Sequence, residues 1–336
     1  MDQGNPAACA GTDRVLRGKV GIVRLLPGLL ALLCLVSASG DLFARQRPGW
    51  DRDAGHRLAR HPSRQERRRL RFGPKRDVVL PASQVVREIE SLRGNSQLRV
   101  SLIGRGDHGN PVYRIDLPAR KASKAPTRCR RPVRVVVSSW IHGNEPAGPA
   151  AALRLVHHAL GREGFRRRFD LTVLVKVDPF GTRENPSGVD LNRAFAPGKW
   201  TAETRALRDS LARDLQKVDL FVDLHGTGRK GFFLIRGSDD GPLSRRILGA
   251  MEGGALLDAP AAKPKVGPYR LHGLGASTSN NAGTFKGWMV RRGVPYSYTL
   301  EAPRTLPPRR QVMGLLKLLR STLNNTAQHG ELLAPR

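Results

Sequence analysis

Residues 133–160 read Val-Arg-Val-Val-Val-Ser-Ser-Trp-Ile-His-Gly-Asn-Glu-Pro-Ala-Gly-Pro-Ala-Ala-Ala-Leu-Arg-Leu-Val-His-His-Ala-Leu, and this stretch decides the fold class. Val133 to Ser138 is a compact run of β-branched residues, the mark of a strand buried on both faces. Ala147 to Leu160 is rich in Ala and Leu, the strongest helix formers. Between them lies a polar turn, His142-Gly143-Asn144-Glu145. Strand, turn and helix in that order form the unit from which α/β sheets are built.

The same grammar continues outward. Leu171 to Val177, Val218 to Leu224 and Val294 to Leu300 read as further buried strands, and Pro308 to Asn324 reads as a helix with Val312, Leu315, Leu316, Leu318 and Leu319 on or near its buried side. Upstream, residues 82–93 read as a helix with Val85, Val86, Ile89 and Leu92 at helical spacing and Ser83 as N-cap. Leu98 to Ile103 and Val112 to Leu117 form a hairpin about Asp107-His108-Gly109-Asn110. The expected fold is α/β, with a mixed, mostly parallel central sheet and helices on both faces. No internal repeat is present. The polar clusters follow the predicted strands at their C-terminal ends, where open α/β sheets bind ligands.

The N-terminal part differs. Arg14, Arg17, Lys19 and Arg24 precede an apolar run from Leu25 to Val36, and small residues Ser37 to Gly40 follow. This pattern predicts a signal peptide over residues 1–40 and an exported protein, periplasmic or extracellular, with no stable membrane span after cleavage. An uncleaved anchor is the alternative. Residues 41–77 hold twelve Lys or Arg and five acidic residues with few aliphatics. Such a segment buries too little apolar surface to offset its ordering entropy, so it reads as a basic disordered linker. The catalytic domain is then expected over 78–336.

The formal charge is +30, which favours anionic partners, and an anionic cell-envelope polymer is the expected partner of the linker. Arg codon usage in a genome rich in G and C produces the same excess, so charge alone identifies no partner. Aromatic residues make up 5% of the chain, too few and too scattered for a base-stacking surface, and no nucleic-acid partner is expected. Cys9 and Cys34 fall in the N-terminal segment, which leaves Cys129 without an intrachain partner after cleavage and excludes a cysteine zinc knuckle.

His142 and Glu145 form a His-x-x-Glu pair, whose spacing brings both side chains to one side of a turn. His225 follows the apolar run Val218 to Leu224. Two imidazoles and one carboxylate leave a fourth position open for water, the arrangement of catalytic zinc. Asp223 stands two residues before His225 and could orient it. Taken singly, a turn histidine or a satisfied strand-end histidine explains each residue equally well.

Four blocks occur in one order: His142-Gly-Asn-Glu-Pro-Ala-Gly148, Asn185-Pro-Ser-Gly-Val-Asp-Leu-Asn-Arg193, Val222-Asp-Leu-His-Gly226 and Tyr298-Thr-Leu-Glu301. This combination resembles the zinc carboxypeptidase superfamily, in particular its bacterial murein peptide amidase branch, over about residues 130 to 320. The resemblance implies that His142, Glu145 and His225 bind one zinc ion per chain. It further implies that Glu301 is the general base and acid, that Asn192 and Arg193 hold the free carboxylate of the substrate, and that Arg183 steadies the polarised carbonyl. The digestive members use a tyrosine near the substrate terminus, for which Tyr269, Tyr296 and Tyr298 are the candidates.

The resulting expectation is a zinc metallocarboxypeptidase or amidase that hydrolyses an amide bond next to a free carboxylate, with a peptide or muropeptide as substrate. The alternative is an N-acyl amino acid deacylase of the succinylglutamate desuccinylase/aspartoacylase type. It resembles the chain in the His-Gly-Asn-Glu, Asp-Leu-Asn-Arg and Asp-Leu-His blocks.

Overall fold

A computed structural model describes residues 79–120 and 131–329, apart from several short stretches between 238 and 280. The expected signal peptide, the basic linker and all three cysteines lie outside the described residues. The elements, in chain order, are α1 (Ala82–Ser91), β1 (Arg99–Arg105), β2 (Pro111–Leu117), β3 (Val133–Ser139), α2 (Ala147–Leu160), α3 (Glu163–Arg168) and β4 (Phe169–Lys176). They continue with α4 (Ala202–Leu211), β5 (Leu220–Thr227), β6 (Phe233–Arg236), α5 (Gly241–Leu248), β7 (Lys265–Val266), β8 (Tyr269–Arg270), β9 (Ala276–Thr278), α6 (Phe285–Arg291), β10 (Tyr296–Pro303) and α7 (Pro308–Gln328).

Eight strands form one mixed sheet in the order β1-β2-β4-β3-β5-β10-β6-β9. Its centre, β4-β3-β5-β10, is parallel, and the antiparallel pairs lie towards the two edges. The hairpin expected upstream is β1-β2. The first helix differs in one detail: Pro81 rather than Ser83 holds the N-cap position, and no side chain caps it. Its amphipathic stripe, with Val85 and Ile89 buried, suffices to dock it.

Alternation along the strands sorts side chains onto two faces. On one face Val135, Val137, Leu220, Val222, Leu224, Tyr298 and Leu300 pack against Leu155 and Val156 of α2 and Val312, Leu315 and Leu319 of α7. On the other, Val136, Leu174 and Phe221 pack against Leu207 and Leu211 of α4 and Phe285, Trp288 and Met289 of α6. Each such side chain, fully buried, contributes roughly 1.5–3 kcal/mol. Helices thus cover both faces, as the sequence pattern requires.

The second face is apolar only part of the way up. The parallel register puts Ser138 beside Asp223 and His225 beside Glu301. The polar residues Asp223, His225 and Glu301 therefore occupy the C-terminal ends of the central strands, on the face of Phe221. They lie inside β5 and β10, which run on to Thr227 and Pro303, rather than beyond the strand ends as the sequence reading expected. Backbone pairing with the neighbouring strands carries both strands past the point where their apolar pattern stops.

Candidate metal centre

The chain leaves β3 through Trp140, which has φ 67°. A left-handed backbone at a bulky residue costs roughly 1–3 kcal/mol and persists only where its surroundings hold it. Trp140 is buried, and its indole N–H donates to the Gly143 carbonyl at 3.1 Å. Gly143 is required for a second reason: a Cβ there would lie 2.5 Å from the Asp178 carboxylate. Asp178 is ion-paired with Lys176, both fully buried, and Lys176 also donates to the Ile141 carbonyl at 3.3 Å. The Asn144 N–H donates to the Thr182 carbonyl at 3.0 Å. The loop that carries His142 and Glu145 is thus clamped from behind by the end of β4 and the segment after it.

That clamp aims the donors at one point. Nδ1 of His142 is 2.9 Å from Oε1 of Glu145, and Nδ1 of His225 is 2.9 Å from Oε2 of the same carboxylate. The imidazole centroids are 5.0 Å apart, and one ligand atom from each residue falls within 4.8 Å of the others. All three residues are buried. The outward nitrogens are held as well. Nε2 of His142 meets Oδ1 of Asp190 at 2.9 Å, and Nε2 of His225 meets Oδ2 of Asp223 at 2.8 Å. Ser138 donates its hydroxyl to the other oxygen of Asp223. Carboxylates behind ligating histidines fix the ring orientation and raise ligand basicity. Two nitrogens and a carboxylate, converging and oriented in this way, fit a divalent metal ion such as zinc.

The charges of the site explain its pKa shifts. Burial disfavours a charged Glu145, but the flanking His225 and His142 more than reverse this and hold its pKa down at about 2. Burial also works against protonated His142 and His225. The carboxylates Asp190 and Glu145 outweigh it at His142, and Asp223 and Glu145 do so at His225. Both imidazoles end up above their ordinary value, so the pocket favours positive charge at the very atoms that would ligate a cation.

Glu301 is buried beside His225 and is pushed up to about 8, chiefly by loss of solvation. Asn192 sits on a short 3-10 turn, Leu191–Arg193, capped by Asp190. Its side-chain nitrogen is 3.4 Å from Nε2 of His225, and its side-chain oxygen accepts from the Phe285 N–H at 3.0 Å. The turn is anchored by aromatic packing: Phe195 stacks on Phe285 at 4.3 Å, and Phe285 meets Phe221 of β5 at 4.8 Å. Arg193 is exposed and donates to the Asn192 carbonyl at 2.8 Å. Arg183 donates twice to Oδ2 of Asp190, at 3.2 and 3.0 Å. The structure therefore gathers His142, Glu145, His225, Glu301, Asn192 and Arg183 around one centre, with Arg193 next to Asn192 on the exposed side.

Four contributors were not singled out from the sequence. Asp190 joins His142 to Arg183 and caps the Asn192 turn. Lys176, Asp178 and Trp140 shape the ligand loop. Two of the tyrosine candidates are corrected: Tyr296 and Tyr298 are buried in the core on the opposite face of the sheet, because even-numbered positions of β10 point away from Glu301.

Residues 132–246 match the family model described as the succinylglutamate desuccinylase/aspartoacylase catalytic domain. A search of curated proteins finds no sequence match. Among solved structures, a candidate metallopeptidase from Shewanella amazonensis superposes with a TM-score of 0.58 at 20% identity, covering 76% of this chain and 93% of that one. Carboxypeptidase A from Helicoverpa armigera gives 0.55 at 14% identity, covering 76% and 75%. A metallo-carboxypeptidase from Burkholderia cenocepacia gives 0.52 at 17% identity, covering 75% and 69%. At these identities the likeness shows the fold. Family match and fold agree on one likeness: residues 132–246 are similar to the succinylglutamate desuccinylase/aspartoacylase catalytic domain, and the chain has an α/β fold like that of these metallopeptidase structures.

Proposed function

We propose that this protein is a zinc-dependent metallopeptidase of the carboxypeptidase type, exported from the cell, that hydrolyses an amide bond next to a free carboxylate in cell-wall peptides. The observation that carries the reading is the bridging of His142 and His225 by one carboxylate, Glu145, with Glu301 in register beside His225. His142, Glu145 and His225 would hold the ion, which when bound supplies Lewis-acid polarisation of the scissile carbonyl and acidifies a water molecule. Glu301, whose ionised form a cation held by the three donors would favour, would then take a proton from the attacking water and return it to the departing nitrogen. Its buried setting keeps bulk water from competing for that proton. Arg183 contributes positive charge where the carbonyl oxygen becomes anionic. Arg193 offers a planar guanidinium fork suited to a terminal carboxylate, and Asn192 adds a neutral donor beside it. Export rests on the N-terminal sequence pattern, and the cell-wall substrate on export combined with the cationic chain.

The family match over residues 132–246 favours a second reading, an N-acyl amino acid deacylase. Both readings use the same donors and the same base, and differ in what lies on the acyl side of the bond. Steady-state kinetics of the zinc-loaded protein on short muropeptides and on N-acyl amino acids separates them. The peptidase reading expects a higher kcat/KM on peptides, abolished in Glu301→Gln. Turnover of N-acyl amino acids alone overturns it in favour of the deacylase. Unchanged turnover in Glu301→Gln overturns both.

A further inference from the structure

A cationic cavity lies at the end of α2 away from the metal donors. The helix α2 begins two residues after Glu145 and ends at Leu160, a span of about 20 Å at 1.5 Å per residue. Beyond its far end, α3, the start of β4 and α7 enclose a cavity of about 330 Å³. Arg162, Arg168, Arg320, His158, Phe165 and Asn324 line it, and no acidic residue is among the lining residues. Arg320 and Asn324 also line an adjoining cavity of about 590 Å³, where Lys317 adds a further cation.

Cations on a protein surface normally find carboxylates, and several here do: Arg167 pairs with Glu163 at 2.8 Å, and Arg120 approaches the same carboxylate at 3.9 Å. Among the described residues, Arg162, Arg168 and Arg320 have no carboxylate at ion-pair distance. Arg168 instead donates to Asn324 at 3.4 Å and lies over the Phe169 ring at 5.2 Å. Arg320 is held below its ordinary pKa, first by burial and then by Arg162; burial does the same to Arg168. The C-terminal end of α2 supplies roughly half an elementary negative charge, too little to balance three guanidiniums. Among the described residues, the cluster is therefore a concentration of uncompensated positive charge around an open volume.

We propose that this cavity is an anion-binding site for a phosphoryl group, separate from the metal centre. Guanidiniums present paired N–H donors that match the oxygens of a tetrahedral oxyanion, and three of them suit a multiply charged one. The cavity exceeds the size of phosphate itself, and the adjoining cavity extends it. The phosphoryl group thus belongs to a larger molecule, either a free organophosphate or a lipid headgroup.

The test uses the full chain loaded with zinc and glycerol phosphate as probe, with sodium chloride matched in ionic strength as control. Calorimetric titration expects saturable binding in the wild type and a weakening of at least ~10-fold in Arg162→Gln/Arg320→Gln, equivalent to ~1.4 kcal/mol. Arg208→Gln/Arg291→Gln, which leaves the cavity intact, keeps the affinity. Without ligand the first double variant melts no lower than the wild type, because it loses mutual repulsion, and this melt shows that it is folded. Co-flotation with phosphatidylglycerol vesicles, measured against phosphatidylcholine, distinguishes the sources. Flotation lost in the cavity variant assigns the headgroup, and binding of glycerol phosphate without flotation assigns a free ligand. Equal affinity in the cavity variant, or no saturable binding in the wild type, overturns the proposal.

Discussion

Lys176 and Asp178 form an ion pair buried directly behind the loop that carries His142 and Glu145, with both side chains at most 3% exposed. The pair is oriented by further bonds: Lys176 donates to the Ile141 carbonyl, and Asp178 accepts from the Phe180 N–H at 2.9 Å. Removing one partner strands a charge in the interior, which costs about 3–5 kcal/mol, whereas removing both does not. Lys176→Met is therefore expected to lose about that much stability in chemical denaturation. Lys176→Met/Asp178→Asn is expected to recover a large part of it. Because the Asp178 carboxylate abuts Gly143, zinc affinity measured by chelator competition should fall in the single variant as well. Additive losses in the double variant would count against a coupled clamp.

The two carboxylates behind the histidines have different secondary duties. Asp223 holds His225 and Ser138, while Asp190 holds His142, Arg183 and the Asn192 turn. Loss of such an outer partner typically weakens metal binding 10–100-fold. Asp223→Asn is expected to do so with little further effect on KM measured at saturating zinc. Asp190→Asn is expected to weaken zinc binding and also to raise KM, since it frees the turn that carries Asn192 and Arg193. Zinc titrations paired with kinetics at saturating zinc check this. Identical KM values for the two variants would refute the division of labour.

The donors themselves were legible in the sequence because chemistry and position coincide there. His142 and Glu145 share one turn, and His225 and Glu301 each close an apolar run. What supports them was not legible, for identifiable reasons. Lys176 lies within a predicted strand, where a lone charged residue reads as a solvated position, and only the pairing of β4 with β3 shows that it is enclosed. Asp190 reads as a local cap, yet its second partner, His142, is 48 residues away. The ends of β5 and β10 were placed too early because apolar content fell where polar function began. The core face of Tyr298 follows from strand alternation once the inward position of Glu301 is known, and the sequence alone leaves that parity open.

Acid stability offers a test away from the metal centre. His158, at the end of α2, is held down at about 4, first by burial and then by Arg320 and Arg162. Its unfolded value is about 6.5. Between these values the unfolded chain binds a proton at His158 that the folded chain refuses, so stability falls as pH drops from about 6.5 to about 4 and is flat in this contribution above that window. In His158→Gln the slope is expected to be shallower over the same window, with the difference between the two proteins constant above pH 7. Denaturation midpoints measured across the range check it, and parallel curves would show that His158 is not the group responsible.

Arg183 and Arg193 are both cations near the metal donors, but their surroundings assign them different kinetic signatures. Arg183 is fixed by two hydrogen bonds to Asp190, the carboxylate that also holds a metal ligand. Its position is thereby tied to the metal-donor cluster, and on the proposed mechanism its charge acts where negative charge develops. Loss of such a donor costs about 10²–10³ in kcat. Arg193 is exposed and its guanidinium bonds only the carbonyl of its neighbour among the described residues, which on the proposed mechanism leaves other N–H groups for a substrate carboxylate present equally in ground and transition states. Interactions of that kind lower KM without raising kcat. Arg183→Ala should therefore depress kcat with a smaller effect on KM, and Arg193→Ala should raise KM about tenfold or more while largely sparing kcat. Substrates with an amidated terminus should erase the Arg193→Ala effect and preserve that of Arg183→Ala. If amidation abolishes both differences, the two arginines act together on the carboxylate and the proposed oxyanion role of Arg183 falls.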